Sequence, residues 1–306
     1  MGDRILDFSE EAAYLSSRIG LLVIERKDKP EVTMPFEDIA VVISSNPQVR
    51  FTNAALSGLA QACGVFIVCN EKHLPVGMLL PIAVHSTQGE RFIKQANASA
   101  PICKQLWKQV ASEKIKNQGK LLKELYGHDE GLIKLSKKVR SGDTENLEGQ
   151  ASRRYWPKIF DDKSFSRDRE AEDQNKFLNY GYTVLRAIVA RAICGAGLHP
   201  SLGIHHHNRY DSYCLADDLM EPFRPIVDKA VVQLVKDKGT ETPMDKETKS
   251  ALIGALTARF DLEGESRTLF DIITRTASSL AQVFEGKADE LVLPEIFTPT
   301  KQPEQE

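Results

Sequence analysis

Apolar positions in the first eighty residues come in short unbroken runs. IGLLVIE (Ile19 to Glu25), DIAVVIS (Asp38 to Ser44) and GVFIVC (Gly64 to Cys69) are rich in Val and Ile, with breaks at Lys-Asp-Lys-Pro, Asn-Pro and Asn-Glu-Lys. Such runs predict strands. Between them FTNAALSGLAQACG predicts one helix, with Thr52 or Asn53 as its cap, Leu56, Leu59 and Ala60 as its apolar stripe and Gly64 as its end.

After Pro81 the period changes from runs to spacings of three and four, with charges in the gaps. The predicted helices are Gln88–Ala98, Ile102–Tyr126, Gly131–Val139, Thr144–Phe160, Asp173–Gly195, Ser212–Lys236, Asp245–Arg259 and Leu269–Glu285. The expected fold class is therefore α+β: a small β-rich N-terminal domain over residues 1–82, followed by a larger all-α domain over residues 83–306. The polar tail PTKQPEQE is expected to fray.

Composition narrows the function classes. The chain has 306 residues, 40 Lys and Arg against 43 Asp and Glu, and a formal charge of −3, so it is not a globally basic nucleic-acid binder. Its charge is uneven, however. Ile82 to Phe160 holds fifteen basic residues against eight acidic ones, Lys134, Lys137, Lys138, Arg153 and Arg154 among them. That segment is either a set of solvated helix faces or a surface that neutralises phosphates. Five cysteines without a C-x-x-C fit buried thiols of a reducing compartment. Acids interrupt the N-terminus where a signal peptide needs apolar residues, and Arg186 and Arg191 cut the most apolar long segment. The expectation is a cytoplasmic protein without a membrane span.

Three places can carry chemistry. Glu148 lies early in a predicted helix, and Gly149 beside it makes sense if something must approach the backbone there. LHPSLGIHHHNRYD gathers four of the seven histidines, His199, His205, His206 and His207, at a spacing that fits no His-x-x-x-His zinc motif. In YCLADDLMEPFRPIVD, Leu215, Leu219, Phe223 and Ile226 share one arc of a helical wheel, while Asp217, Asp218, Glu221 and Asp228 share another. Asp218 and Glu221 stand at i and i+3, so their carboxylates can converge. Pro222 and Pro225 conflict with a continuous helix and predict a kink where the acids project. Oxygen ligands with a single nitrogen suit magnesium or manganese better than zinc.

The runs E-G-x-A-x-R-x-Y-W (Glu148 to Trp156), Asn179-Tyr180-Gly181-Tyr182, Gly203-Ile204-x-His and L-A-D-D-L-M-E-P-F-R-P-I-V-D (Leu215 to Asp228) together resemble the CRISPR-associated integrase family Cas1. The resemblance extends from the β segment to about Glu285, and the M-E-P-F-R-P wording resembles its type II branch. It implies a metal-dependent DNA endonuclease and integrase that inserts foreign DNA into a CRISPR array. It also implies a homodimer built through the β domain, two such dimers flanking a dimer of the small partner Cas2, and possible contact with other type II adaptation or effector proteins. The catalytic and metal-binding residues it implies are Glu148, His206 and Glu221, with Asp218 as a further metal-binding acid and Mg2+ or Mn2+ as the cation. Double-stranded DNA would lie on Lys134, Lys137, Lys138, Arg153 and Arg154. In an extended segment His205 and His207 are expected to point away from His206. Two other classes stay open: a metal-dependent hydrolase of a small phosphoester, and a helical scaffold without chemistry.

Overall fold

The computed structural model describes residues 2–70, 75–262 and 265–293, and the polar tail lies outside the described residues. Strands β1 (Arg4–Phe8), β2 (Tyr14–Arg18), β3 (Leu21–Glu25), β4 (Val32–Pro35), β5 (Ile39–Ser44), β6 (Arg50–Phe51), β7 (Val65–Cys69) and β8 (Pro75–Leu79) come first, with helix α1 (Asn53–Gln61) before β7. They form two four-stranded sheets in the orders β1-β5-β7-β8 and β4-β3-β2-β6. In the first sheet β1, β5 and β7 are parallel and β8 returns antiparallel.

Burial explains which strands the sequence announces. Every residue of β5 is buried. Val41, Ile43, Val65 and Ile67 belong to the core of the helices, whereas Val42 and Phe66 join Leu15, Leu22, Ile24 and Leu59 in a second core. A strand covered on both faces reads as an unbroken apolar run, and so β5 and β7 are conspicuous. The runs at Ile19, Asp38 and Gly64 become β3, β5 and β7, while β1, β2, β4, β6 and β8 go unannounced because they are short and only partly buried. Thr52 caps α1 as expected, accepting from the Ala55 amide at 3.1 Å.

The remaining helices are α2 (Gln88–Ala96), α3 (Ala100–Tyr126), α4 (Leu132–Ser136), α5 (Leu147–Ile159), α6 (Asn175–Gly195), α7 (Cys214–Met220), α8 (Arg224–Lys238), α9 (Lys246–Thr257) and α10 (Leu269–Phe284). Helix α6 is apolar around most of its circumference because it is central, touching β5 and β7 on one side and α7, α8, α9 and α10 on others. Among the described residues no helix is long and apolar enough to cross a membrane.

Two sequence expectations are corrected, and a third is borne out. The helix expected through Arg259 stops at Thr257, and Arg259–Leu262 (β9) pairs antiparallel with Glu265–Thr268 (β10). Phe260 and Leu262 turn inward while Arg259 and Asp261 stay exposed, a period of two that ends the helix. The segment expected at Gly131–Val139 contracts to α4, whose first turn is held by the Asp129 carboxylate accepting from the Gly131 and Ile133 amides. The kink expected within Ser212–Lys236 is present: two helices are joined by a 3-10 turn at Glu221–Phe223, with each proline in the first turn of a new segment.

Gly181 sets the approach of α6 to α8, since a Cβ there would lie 2.4 Å from Val227 Cγ1. The β-branched valine has few rotamers with which to yield. Gly181→Ala is expected to destabilise the fold by about 1–3 kcal/mol through overpacking. Urea unfolding at neutral pH checks this, and an unchanged midpoint would show that α6 and α8 can part freely.

Candidate active site

Glu148 sits in the first turn of α5, and two side chains fix that turn. Asn146, at φ 51°, accepts from the Gly149 amide at 3.1 Å. Asp143 accepts from the Leu147 amide at 2.8 Å and the Glu148 amide at 2.9 Å, so the free N–H groups of the helix start are satisfied. The close approach that Gly149 permits is this cap: a Cβ at Gly149 would meet Asn146 Oδ1 at 2.6 Å.

Glu221 arrives from the break between α7 and α8. Asn117 of α3 donates its amide to the Pro222 carbonyl at 3.0 Å, tying the break to that helix. One turn earlier on α3 stands Lys114, buried, whose ammonium ion-pairs with both Glu148 and Glu221 Oε2, the latter at 2.6 Å. The two carboxylates thus converge on a single positive charge. Glu221 Oε1 also accepts from Arg224 Nε at 2.8 Å. Burial works to raise the Glu221 pKa, but Arg224 and Lys114 outweigh it and hold the carboxyl at about 2. Burial likewise opposes the Lys114 charge, and Glu221 and Glu148 more than restore it.

His206 and Asp218 form the adjoining half of the site. The Asp218 side chain is fully buried and accepts from the backbone amides of Ile204 at 2.7 Å, His205 at 2.9 Å and His206 at 3.2 Å. His206 Nδ1–H donates to Asp218 Oδ1 at 2.5 Å, and this hydrogen bond raises the His206 pKa. The convergence of Asp218 with Glu221 that their spacing allowed is therefore replaced by separate partners. Asp218 is saturated by the histidine loop, while Glu221 faces Lys114 and Arg224. An imidazole that donates from Nδ1 to a carboxylate keeps the Nε2 lone pair in its neutral form, the usual preparation of a metal-ligating histidine.

The loop departs from the expected alternation. His205 stacks on Trp107 with ring centroids 4.0 Å apart and planes at 2°, and His206 meets the same indole edge-on at 5.6 Å. Both rings lie against one buried tryptophan because the chain is irregular here, whereas the opposite-sides rule holds only for a strand.

Among the described residues no three His, Cys, Asp or Glu side chains stand together as a ready metal cage. The fit to a cation rests on the carboxylate pair. Glu148 and Glu221 already enclose an ammonium, and the Glu221 Oε2 atom is buried with no hydrogen bond apart from that ion pair. Two carboxylates and one imidazole nitrogen are a donor set for a hard divalent cation. Behind the site Arg224 lies over the Tyr182 ring at 4.5 Å, and Tyr182 and Tyr155 both donate to the buried Asp228.

The five basic residues singled out from the sequence are exposed, on α4, just after it, and on α5. These two short helices pack against each other and against α3. Lys114, Arg224, Asn117 and Trp107 were not singled out as site residues. The Lys114 and Asn117 spacing of three in α3 was the available signal, but Lys114 was hidden in a crowd of surface lysines.

The family described as CRISPR associated protein Cas1 matches residues 7–258. The chain is 37% identical over 269 residues to a CRISPR-associated endonuclease Cas1 of Neisseria meningitidis serogroup C, covering 87% of this chain and 88% of that protein. It is 30% identical over 243 residues to one from Saccharolobus solfataricus, covering 76% of each. Its fold is similar to a casposase bound to integration product, with TM-score 0.78, 20% identity and coverage of 99% and 95%. It is also similar to a Cas1 protein from Thermotoga maritima, with TM-score 0.74, 18% identity and coverage of 94% and 98%.

Burial raises the Asp228 pKa to about 6, against the lowering effect of the two tyrosine hydroxyls. Below about pH 4 the group is protonated in both the folded and unfolded states and contributes no pH dependence. Between about pH 4 and pH 6 the unfolded chain ionises first, so stability should fall as pH rises, by roughly 3 kcal/mol in all. Above about pH 6 both states are ionised and this loss is constant. Denaturant midpoints across this window check the slope, which Asp228→Asn should remove.

Proposed function

The chain belongs to the CRISPR-associated Cas1 family, and from that premise we propose how its own residues carry an endonuclease and integrase activity on DNA. The observation that carries the reading is the convergence of Glu148 and Glu221 on one buried positive charge. Glu148, His206 and Glu221 are the ligands of a divalent cation, Mg2+ or Mn2+, with His206 Nε2 as the nitrogen donor. A cation held by these three residues would supply Lewis-acid polarisation of the scissile phosphate and charge stabilisation at the leaving oxygen. Asp218 acts one layer out: it fixes the His206 ring and the three amides of its loop, and is a positioning residue in place of a further ligand. The Lys114 ammonium keeps the two carboxylates together when no cation is bound.

The reaction is a transesterification in which the 3′-hydroxyl oxygen of the incoming strand bonds to phosphorus at the repeat boundary. The bond from phosphorus to the target strand's 3′-oxygen breaks; the attacking hydroxyl gives up its proton and the departing oxygen takes one up, leaving as a 3′-hydroxyl. Lys134, Lys137, Lys138, Arg153 and Arg154 hold backbone phosphates of double-stranded DNA, contributing affinity with little sequence readout. The working assembly in this reading is a homodimer through the β-rich segment, flanking the partner Cas2, in a type II system.

Glu148→Gln, Glu221→Gln and His206→Ala are each expected to lose integration into a repeat-bearing plasmid by at least a hundredfold while retaining duplex binding. A gel assay with Cas2, labelled duplex and magnesium reads the first property, and a mobility shift reads the second. Normal integration by His206→Ala with a dead His205→Ala or His207→Ala would move the ligand to a neighbour. Phosphate release from small esters without integration would favour a hydrolase, and silence in both assays a scaffold.

DNA affinity should fall steeply with salt, each phosphate contact adding a slope of roughly −0.9 in log K against log salt. Reversing the charge of Lys134, Lys137 and Lys138 together should flatten that slope and leave cation binding intact. An unchanged slope would place the DNA on another surface.

A further inference from the structure

Asp218 fixes the far end of the histidine loop, and a second clamp holds its beginning. Gln95 stands in the last turn of α2 and is 5% exposed. A carboxamide so buried needs partners for its donors and its acceptor. Gln95 finds them in the backbone of the loop: Oε1 accepts from the His199 amide at 2.8 Å, and Nε2 donates to the His199 and Leu202 carbonyls, each at 2.9 Å. The Leu202 amide reaches back to the same His199 carbonyl at 3.4 Å, so the carboxamide brackets both ends of a tight turn. Helix α2 is seated against the same region. Arg91, one turn earlier, donates to the Ala196 carbonyl at 2.7 Å, and Phe92 meets the His199 ring edge-on at 5.4 Å. From the turn to the His206 imidazole the chain has little freedom. A Cβ at Gly203 would lie 2.3 Å from the His206 carbonyl oxygen, Ile204 is buried, and Asp218 holds the amides of Ile204, His205 and His206.

We propose that Gln95 is a positioning residue for His206, setting the course on which the loop presents its imidazole to the cation centre. The inference rests on the cation-centre reading above and adds to it a residue from the first helix after the β-rich segment. Among the described residues Gln95 makes no hydrogen bond to His206, Glu148 or Glu221, and it acts through the backbone of the His199–Leu202 turn. Without its carboxamide, two carbonyls and one amide of that turn lose a partner and must reorient to find another. Asp218 then holds the ring from one end of the loop only. Loss of an outer group that orients a metal ligand lowers metal affinity or activity by roughly 10–100-fold.

The test uses the full-length protein with two substitutions. Gln95→Met keeps the length of the side chain and removes all three bonds. Gln95→Glu keeps the bond from the His199 amide, loses the two donated ones, and serves if Gln95→Met misfolds. The first readout is nuclear magnetic resonance of metal-free protein with isotope-labelled histidine, at mildly alkaline pH where the ring is neutral. The His206 ring-nitrogen signals, assigned by their disappearance in His206→Ala, report the Nδ1–H tautomer that Asp218 holds. Both Gln95 substitutions should move these signals toward those of an unheld imidazole. The second readout is Mn2+ binding followed by electron paramagnetic resonance, which should weaken roughly tenfold or more. Duplex affinity in EDTA should be unchanged. Ile93→Ala, at an exposed position of the same helix, should leave every readout as it is. Unmoved ring-nitrogen signals in either folded variant, or an equal movement in Ile93→Ala, overturn the assignment. So does an unchanged Mn2+ affinity where His206→Ala lowers it. Mn2+ binding that is indifferent to His206→Ala sinks the cation-centre reading instead, and the ring-nitrogen signals still decide for Gln95.

Discussion

One buried ammonium organises this molecule. Lys114 on α3 is paired with a carboxylate from the start of α5 and another from the break between α7 and α8, so three separate segments meet at one charge. Removing an ion from water is costly, and a buried cation persists only with close counter-charges. Glu148 and Glu221 therefore cannot drift apart without leaving Lys114 unpaired, nor can Lys114 leave without setting two carboxylates against each other.

The constraint extends outward through polar contacts. Glu221 accepts from Arg224, Arg224 lies over Tyr182, and Tyr182 shares Asp228 with Tyr155 of α5. This path returns to the helix that carries Glu148, so the supporting layer joins the same elements as the site itself. On the other flank Asp218 ties the His205–His206 backbone to α7, and Trp107 of α3 sets the ring planes. Long helix α3 thus contributes the ammonium, the amide that grips the break and the indole beneath the histidines. Rigid support of this kind is what a phosphoryl-transfer centre requires, since misplacement by an ångström costs rate.

Local chemistry made much of the fold legible. Apolar runs announced β3, β5 and β7, the spacing of three and four announced most of the helices, and the two prolines announced the break at Glu221. The short strands stayed hidden because their stability comes from neighbours in the sheet, which no local pattern records. The β9–β10 hairpin was missed because Arg259 to Thr268 mixes charges with few apolar residues. Lys114 was counted among many lysines, since nothing in a solvated helix face distinguishes the one that turns inward.

By itself the sequence determined the division into a β-rich beginning and a helical remainder, the acids and histidines able to carry chemistry, and the resemblance that joined them. Those are properties of residue type, period and order. Which side chains meet was decided by tertiary structure alone. The chain order places Asp218 beside Glu221, yet the packed helices turn one toward the histidine loop and the other toward Lys114. They do so because a buried charge is satisfied by whatever partner the packing brings within hydrogen-bond reach, and for Glu221 that partner, Lys114, comes from a helix about a hundred residues away.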